Sequence, residues 1–456
     1  MNQAIILAAG KGTRMMSNLP KVAHTICGKT MVECIIDELK KLQVEEIVTV
    51  LGYKAEEIEN IIKDDSLISL QTEQLGTGHA VMQATQLEHK KGKTFIINGD
   101  CPLIKASTLQ KLLDSSNDKA LVVLTALVDD AKSYGRVIRN SNNNIDKIVE
   151  FKDCNEEEKN IREINTGIYC IDNEILFSNL SKLDNDNAQK EYYITDLIEI
   201  LNKQDLKVGA YICENNKEIE GVNNQLELSD ANTYQFMQNA LHHLDNGVVM
   251  IDPKMVYIDS DVKIGSETTI YPNVTIKGNT TIGKGTTLLP NTFLNNALIG
   301  DNCTIDSSRI TDSEVKDEVT IGPSSHIRMH CLIDSKNRIG NFVELKNTKI
   351  GYNSRCAHLT YLGDSEIGSN VNIGCGVVTV NYDGMNKFKT IVKDGAFVGS
   401  NCNLIAPIEI GENALVAAGS TVNKNIMDGE MGIARPRQEN HKDFGYEYKK
   451  KEKVKN

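Results

Sequence analysis

At 456 residues the chain is long enough for two or three domains, and its net charge of −12 argues against nucleic acid or an anionic membrane surface as a partner. Its 11 cysteines, without a C-x-x-C pair, argue against a disulfide framework or a zinc ribbon and fit a reducing cytoplasm. No stretch approaches the length of a membrane span, and the opening Met-Asn-Gln-Ala-Ile-Ile-Leu-Ala-Ala-Gly lacks the basic region of a signal peptide.

Residues 1–225 read as alternating strand and helix. Ala4–Ala8 is a short apolar strand entering the loop Leu7-Ala8-Ala9-Gly10-Lys11-Gly12-Thr13-Arg14-Met15. Thr30–Gln43 has helical spacing at Met31, Ile35, Leu39 and Leu42. Ile47–Val50, Thr94–Asn98 and Leu121–Leu127 read as strands and Ala55–Ile62 as a helix. This order predicts an α/β domain with a mostly parallel sheet and helices on both faces. Ligands of such sheets sit outside the carboxyl ends of the strands.

In the first loop, two glycines let successive N–H groups turn toward an anion, and Lys11 and Arg14 add positive charge. Lys21, in Pro20-Lys21, supplies another cation. The spacing is neither a Walker A nor a Rossmann fingerprint, and taken alone such a loop is as readily a structural turn. Asp100 ends an apolar strand and is followed by Cys101-Pro102, which sets it apart from an ordinary surface acid. Asn223 considered alone is a turn residue.

Gln225–Asn246 predicts one helix, ended by Asn246-Gly247. The expected division is therefore 1–225, a linker helix 226–246, and 247–456.

From Val262 to Val422 the chain repeats every six residues. Ile264, Ile270, Ile276, Ile282, Leu288 and Leu294 form one phase, and Val392, Val398, Leu404, Ile410, Val416 and Val422 another. A period of six fits neither an amphipathic helix nor a simple meander; it is the signature of a β-helix with three short sides per coil. A β-sandwich is the alternative, but sandwich strands vary in length and this spacing does not. Two interruptions stand out: Arg355–Gly363, where the phase slips, and Val380–Lys389, a polar loop. Arg328, Lys346, Arg355, His358, Tyr361, Asn372, Asn381, Tyr382 and Lys387 gather around them, with His358 read as a loop residue. Lys442–Asn456 is Lys-rich and predicts a solvated, frayed tail.

Leu7–Arg14 with Pro20-Lys21 resembles the nucleoside-diphosphate-sugar pyrophosphorylases. The resemblance continues through Gln71, Gln74-Leu75-Gly76-Thr77-Gly78-His79-Ala80, Asn98-Gly99-Asp100, Tyr134-Gly135-Arg136, Glu150, Asn165-Thr166-Gly167 and Gly221-Val222-Asn223-Asn224. It implies a UDP-sugar site of Leu7, Ala8, Ala9, Gly10, Lys21, Gln71, Gly76, Thr77, Asn98, Gly99, Asp100, Gly135, Glu150, Asn165 and Asn223. It also implies Mg²⁺ on Asp100 and Asn223, with Lys21 and Arg14 stabilising charge on the α-phosphate of UTP. Asn98 departs from the aromatic residue that relatives often carry.

The hexads resemble the left-handed β-helix acyltransferases. The runs Asn341–Lys346, Ala357–Asp364, Asn372-Ile373-Gly374 and Asn381-Tyr382-Asp383-Gly384 closely resemble the acetyltransferase domain of the bifunctional N-acetylglucosamine-1-phosphate uridylyltransferase/glucosamine-1-phosphate acetyltransferases. With the first domain, the resemblance covers Ala4 to about Arg437.

This resemblance implies a left-handed parallel β-helix in which His358 is the general base and Glu344 orients or polarises the site. Arg328, Lys346, Tyr361, Asn372 and Lys387 would bind glucosamine 1-phosphate. Cys375, Asn381, Tyr382, Ser400, Ala418 and Arg435 would bind acetyl-CoA; relatives often have Ala at the Cys375 position, and a small side chain is what matters there. A homotrimer with active sites between subunits follows from the same resemblance.

The expected function is acetylation of glucosamine 1-phosphate with acetyl-CoA. Transfer of UMP from UTP to N-acetylglucosamine 1-phosphate then releases pyrophosphate and supplies precursors of cell-wall peptidoglycan and lipopolysaccharide. Two other readings keep only one activity or none: a nucleotidyltransferase with the β-helix as an assembly element, and a β-helix scaffold with a degenerate sheet domain. His358 with Lys346, Tyr361 and Asn372 argues against the first, and Asp100 with Asn223 and the Gly10–Arg14 loop against the second.

Overall fold

The structure, a computed structural model, describes residues 2–453, with side chains through residue 448. The chain divides into two compact units, Met1–Phe236 and Met237–Asn456. The division falls inside the single helix Gln225–Asp245.

In the first unit seven strands line up in the order Val208–Ile212, Leu121–Leu127, Glu163–Asp172, Lys93–Asn98, Asn2–Ala8, Glu46–Leu51, Leu67–Leu70. All neighbours are parallel except Glu163–Asp172, which runs antiparallel to both of its neighbours. The central strands are apolar on both faces. Ala4, Ile6, Phe95 and Ile97 enter one core, and Ile5, Val48 and Ile96 another. This is the expectation for a sheet covered on both sides.

Helix Met31–Lys41 shows why the local chain folds as it does. Thr30 caps it with a reciprocal Thr30–Glu33 capping box, and Met31, Val32, Ile35, Ile36 and Leu39 are buried. The register Leu7↔Asn98 ends two central strands side by side. The Gly-rich loop and Gly99-Asp100 therefore leave the sheet next to each other.

The second unit is a parallel β-helix of three stacked ladders. One runs Ile264, Ile282, Ile299, Val315, Ile333, Ile350, Ile367, Val392, Ile410. A second runs Ile270, Leu288, Ile305, Ile321, Ile339, Cys356, Ile373, Val398, Val416. Nearly all are buried and form one continuous core. Each buried side chain stabilises by roughly 1.5–3 kcal/mol, and no coil covers its own core.

Three expectations need correction. The ladders extend past Val262–Val422, from Val249–Met250 to Met431–Gly432. Arg355–Gly363 is a continuous strand paired along its length with Arg338–Lys346, so His358 lies on a strand. The phase slips just after it, where Leu362 to Ile367 takes five residues instead of six, with Asp364 in the left-handed region (φ 48°). Short Asn and Asp side chains tolerate that conformation best, so they occupy the tight corners. The third concerns the tail: Phe444–Lys453 forms a helix instead of fraying, and residues 454–456 lie outside the described residues.

Candidate functional site

In the first unit four residues from distant segments meet. Lys21 Nζ donates to Asp100 Oδ2 at 2.5 Å and to Asn223 Oδ1 at 2.7 Å. Arg14 Nη2 donates to the same Asn223 oxygen at 2.8 Å. The Val222 N–H donates to the Asp100 carbonyl at 2.8 Å, and the Asn223 N–H to Glu227 Oε2 at 2.6 Å. These bonds hold the Gly221–Asn223 turn against the end of strand Lys93–Asn98. Gly12, at φ 61°, lets the loop close on Lys21: a Cβ there would lie 2.5 Å from Lys21 Cβ.

A cleft of about 350 Å³ opens beside this cluster. Leu7, Ala8, Ala9, Gly10, Lys21, Gln71, Gly76, Thr77, Asn98 and Asp100 all line it. Thr77 and Asn98 also line its continuation past Gly135, Glu150 and Asn165. Arg14, Asp100 and Asn223 line a third stretch. Gln71 is buried and donates to the Gly76 carbonyl at 3.2 Å, which fixes the turn into helix Thr77–Met82.

Two residues of the matched segments stand elsewhere. Gly99 lies behind the cleft, its N–H on the Leu7 carbonyl at 2.9 Å. Arg136 is buried and donates to the carbonyls of Ala131, Lys132 and Lys159. Burial, then the neighbouring Asp153, Asp196 and Glu191 carboxylates, pushes the Glu150 carboxyl above its ordinary range. Glu191 lines both arms of the cleft, and Glu227 anchors Asn223. Neither was singled out from sequence, because a lone acid in a polar stretch carries no signal of its partner.

In the second unit the register builds a corner column. Two residues beyond the ladder Ile339, Cys356, Ile373, Val398, Val416 stand Asn341, His358, Cys375, Ser400 and Ala418. Backbone bonds tie successive corners: Gly376 N–H to the His358 carbonyl at 3.4 Å, Asn401 to Cys375 at 2.7 Å, and Gly419 to Ser400 at 2.8 Å. Arg435 passes over Gly419 at the end of this column. Small side chains above an exposed imidazole leave a track along the corner.

Further along the same pair of strands, Lys346 lies 3.8 Å from Asp364, whose carboxylate also accepts from Asn347 and Asn381 at 2.6 Å each. Burial pushes the Asp364 carboxyl up, but those bonds and the Lys346 and Lys387 charges outweigh it and leave it below its ordinary value. Lys346 stands next to Lys387 and holds that ammonium below the ordinary lysine range. Two adjacent ammoniums suit an anion. The Tyr361 hydroxyl lies over Gly363.

Arg328 is held by Glu344, with Nε and Nη2 on the same Oε1 at 3.0 and 2.6 Å. Asn372 is not brought to this group; it pairs with Arg355 on a different ladder. Tyr382 is exposed in the inserted loop, its hydroxyl on the Gly384 carbonyl at 2.6 Å.

Residues 3–219 match the nucleotidyl transferase family, and residues 389–424 match the bacterial transferase hexapeptide family, in keeping with a left-handed β-helix. The bifunctional protein GlmU of Geobacillus sp. (strain WCH70) is 47% identical over 445 residues, 97% of each chain. That of Brevibacillus brevis (strain 47) is 46% identical over 453 residues, 99% of this chain and 98% of the relative. That of Listeria monocytogenes serotype 4a (strain HCC23) is 45% identical over 440 residues, 96% of each. With this identity over nearly its whole length, the chain belongs to the bifunctional GlmU family.

Proposed function

We propose that the chain makes UDP-N-acetylglucosamine at two separate sites, acetyl transfer in the unit Met237–Asn456 and uridylyl transfer in Met1–Phe236. The observation that carries this reading is that each unit alone gathers a charged cluster from distant segments. One is Arg14, Lys21, Asp100 and Asn223; the other is Lys346 and Lys387 about Asp364, with Lys346 on the same strand as Asn341, the partner of His358.

At the second site the glucosamine phosphate group binds at Lys346 and Lys387, with Arg328 and Tyr361 nearby. Acetyl-CoA lies along Cys375, Ser400 and Ala418, with Arg435 toward its phosphates and Asn381 and Tyr382 alongside. The sugar amine attacks the thioester carbonyl, His358 takes the proton, and the thiolate of CoA leaves. A neutral imidazole suits that task.

At the first site an oxygen of N-acetylglucosamine 1-phosphate attacks the α-phosphorus of UTP and pyrophosphate leaves. Lys21 and Arg14 balance the charge that develops. Asp100 and Asn223 fit a Mg²⁺ ion: their oxygens converge closely enough to share the single Lys21 ammonium. Among the described residues no group of three or more His, Cys, Asp or Glu could hold a metal. Two protein oxygens are what Mg²⁺ takes when phosphates and waters complete its shell. When bound, the ion neutralises phosphate charge.

The flat-sided β-helix favours a homotrimer with closed symmetry. A cytoplasmic location agrees with the free thiols and with the absence, among the described residues, of a helix long and apolar enough to cross a membrane.

Purified protein given UTP, acetyl-CoA and glucosamine 1-phosphate should release CoA and pyrophosphate and form UDP-N-acetylglucosamine. N-acetylglucosamine 1-phosphate with UTP should suffice for the second step. Pyrophosphate release from N-acetylglucosamine 1-phosphate and UTP, with no CoA release from the full mixture, would leave only the nucleotidyltransferase.

A further inference from the structure

We propose that Asn341 is the positioning residue of the acetyl-transfer base, an assignment that rests on reading His358 as that base. Asn341 Oδ1 lies 2.9 Å from His358 Nδ1, and the two residues face each other in the ladder between Arg338–Lys346 and Arg355–Gly363. An amide oxygen only accepts, so Nδ1 carries the ring proton and Nε2 is left as the basic nitrogen. Among the described residues the His358 ring bonds to no other side chain.

The corner itself is built to hold the pair. Phe342 and Leu359, each one residue further on, have φ 56° and 43° and are 59% and 60% exposed. Bulky side chains are costly in left-handed backbone, and neither gains burial in return. Strain at matching positions on both strands marks a constrained geometry, and it lies where Asn341 and His358 are aimed at each other.

The choice of an amide has a chemical consequence. A carboxylate at this position would stabilise an imidazolium, whereas the neutral amide sets the tautomer without adding charge. The ionisable residues on the strand beneath His358 are Arg338, Glu344 and Lys346, those on its own strand are Arg355, Cys356 and Tyr361, and Cys375 precedes Gly376, whose N–H donates to the His358 carbonyl from the coil above. Cys356 points into the core. These charges are mixed in sign, so the partner in direct contact decides the tautomer.

The test is steady-state acetyl transfer by the full chain, with uridylylation measured on the same preparations. Asn341→Ala should lower kcat on the order of tenfold, part of the roughly 10²–10⁴ that base catalysis supplies, with KM for both substrates little changed. Asn341→Asp should keep most of kcat on its plateau and move the acid limb of the pH profile upward by about one unit or more. Asn341→Ala should add nothing to His358→Ala, since the two act as one device.

A parental kcat in Asn341→Ala, an unmoved acid limb in Asn341→Asp, or additive losses in the double variant would each overturn the assignment. The isosteric Asp variant reads out even where the Ala variant fails to fold. A His358→Ala protein acetylating at the parental rate would instead overturn the reading of the base.

Discussion

Lys21 Nζ sits 2.5 Å from Asp100 Oδ2, and the pair is largely buried, with side chains 13% and 25% exposed. One ammonium thereby links the loop after the first strand to the carboxyl end of its neighbour, and through Asn223 to the turn before helix Gln225–Asp245. A close, shielded pair of this kind holds its geometry better than a surface ion pair. It sets the cation where a phosphate would cross the strand ends.

Gly12 is the weak point of that arrangement. Gly12→Ala combines a left-handed φ with a Cβ 2.5 Å from Lys21 Cβ, so Lys21 must move. Uridylyl transfer should fall on the order of 10²-fold, the scale of losing one charge-stabilising group. Acetyl transfer should be unchanged. Parental uridylylation in this variant would show that Lys21 does not need its present position.

Asp196 carries a pH signature. Burial, then Asp184, Glu199 and Asp153, pushes its carboxyl from an ordinary 3.8 up to about 6. A raised carboxyl contributes stability that is full below its unfolded value, falls as pH climbs to about 6, and is gone above that. Asp196→Asn should therefore stabilise the protein at neutral pH, on the order of 1 kcal/mol after solvent screening, and change little below the ordinary carboxyl value. Thermal unfolding of both proteins at the two pH values measures this; equal midpoints at neutral pH would contradict it.

The Lys346–Lys387 pair predicts proton uptake. Lys346 depresses the Lys387 pKa in the free protein, and a bound phosphate would raise it again. Affinity for glucosamine 1-phosphate should be level at lower pH and weaken as pH rises through the depressed Lys387 pKa. Calorimetry in buffers of different ionisation heat should show protons taken up in that range, and none for Lys387→Met. Uptake that persists in Lys387→Met would place the titrating group elsewhere.

Assembly has its own check. Light scattering should give three times the chain mass. A stable monomer with full acetyltransferase activity would contradict a trimer.

Much of this architecture was legible in the sequence. The helix Ala55–Ile62 and the strand Leu121–Leu127 are placed residue for residue, because each is an uninterrupted periodic or apolar run. The six-residue period disclosed the β-helix. It could not disclose where the period drops to five, because a corner at Asp364 depends on backbone conformation more than on hydrophobicity. The cleft residues from Leu7 to Asp100 were legible through the resemblance of their segments to the pyrophosphorylases; of them, Asp100 also stands out by itself as the acid that ends an apolar strand.

Contacts made by stacking were not legible. The Arg328–Glu344 pair and the separation of Asn372 from Lys346 follow from which coil lies above which, and a one-residue change of phase alters both. The bond between Asn341 and His358 is of the same kind: both residues stood in distinctive runs, but only the register brings them together.

The central claim is that one chain holds two independent transferase sites. Its most direct test measures both half-reactions on Asp100→Ala and His358→Ala. Asp100→Ala should lose uridylyl transfer and keep acetyl transfer; His358→Ala should lose about 10²–10⁴ in acetyl-transfer kcat and uridylylate N-acetylglucosamine 1-phosphate at the parental rate. Loss of both activities from either single substitution, or parental acetylation by His358→Ala, would contradict the account.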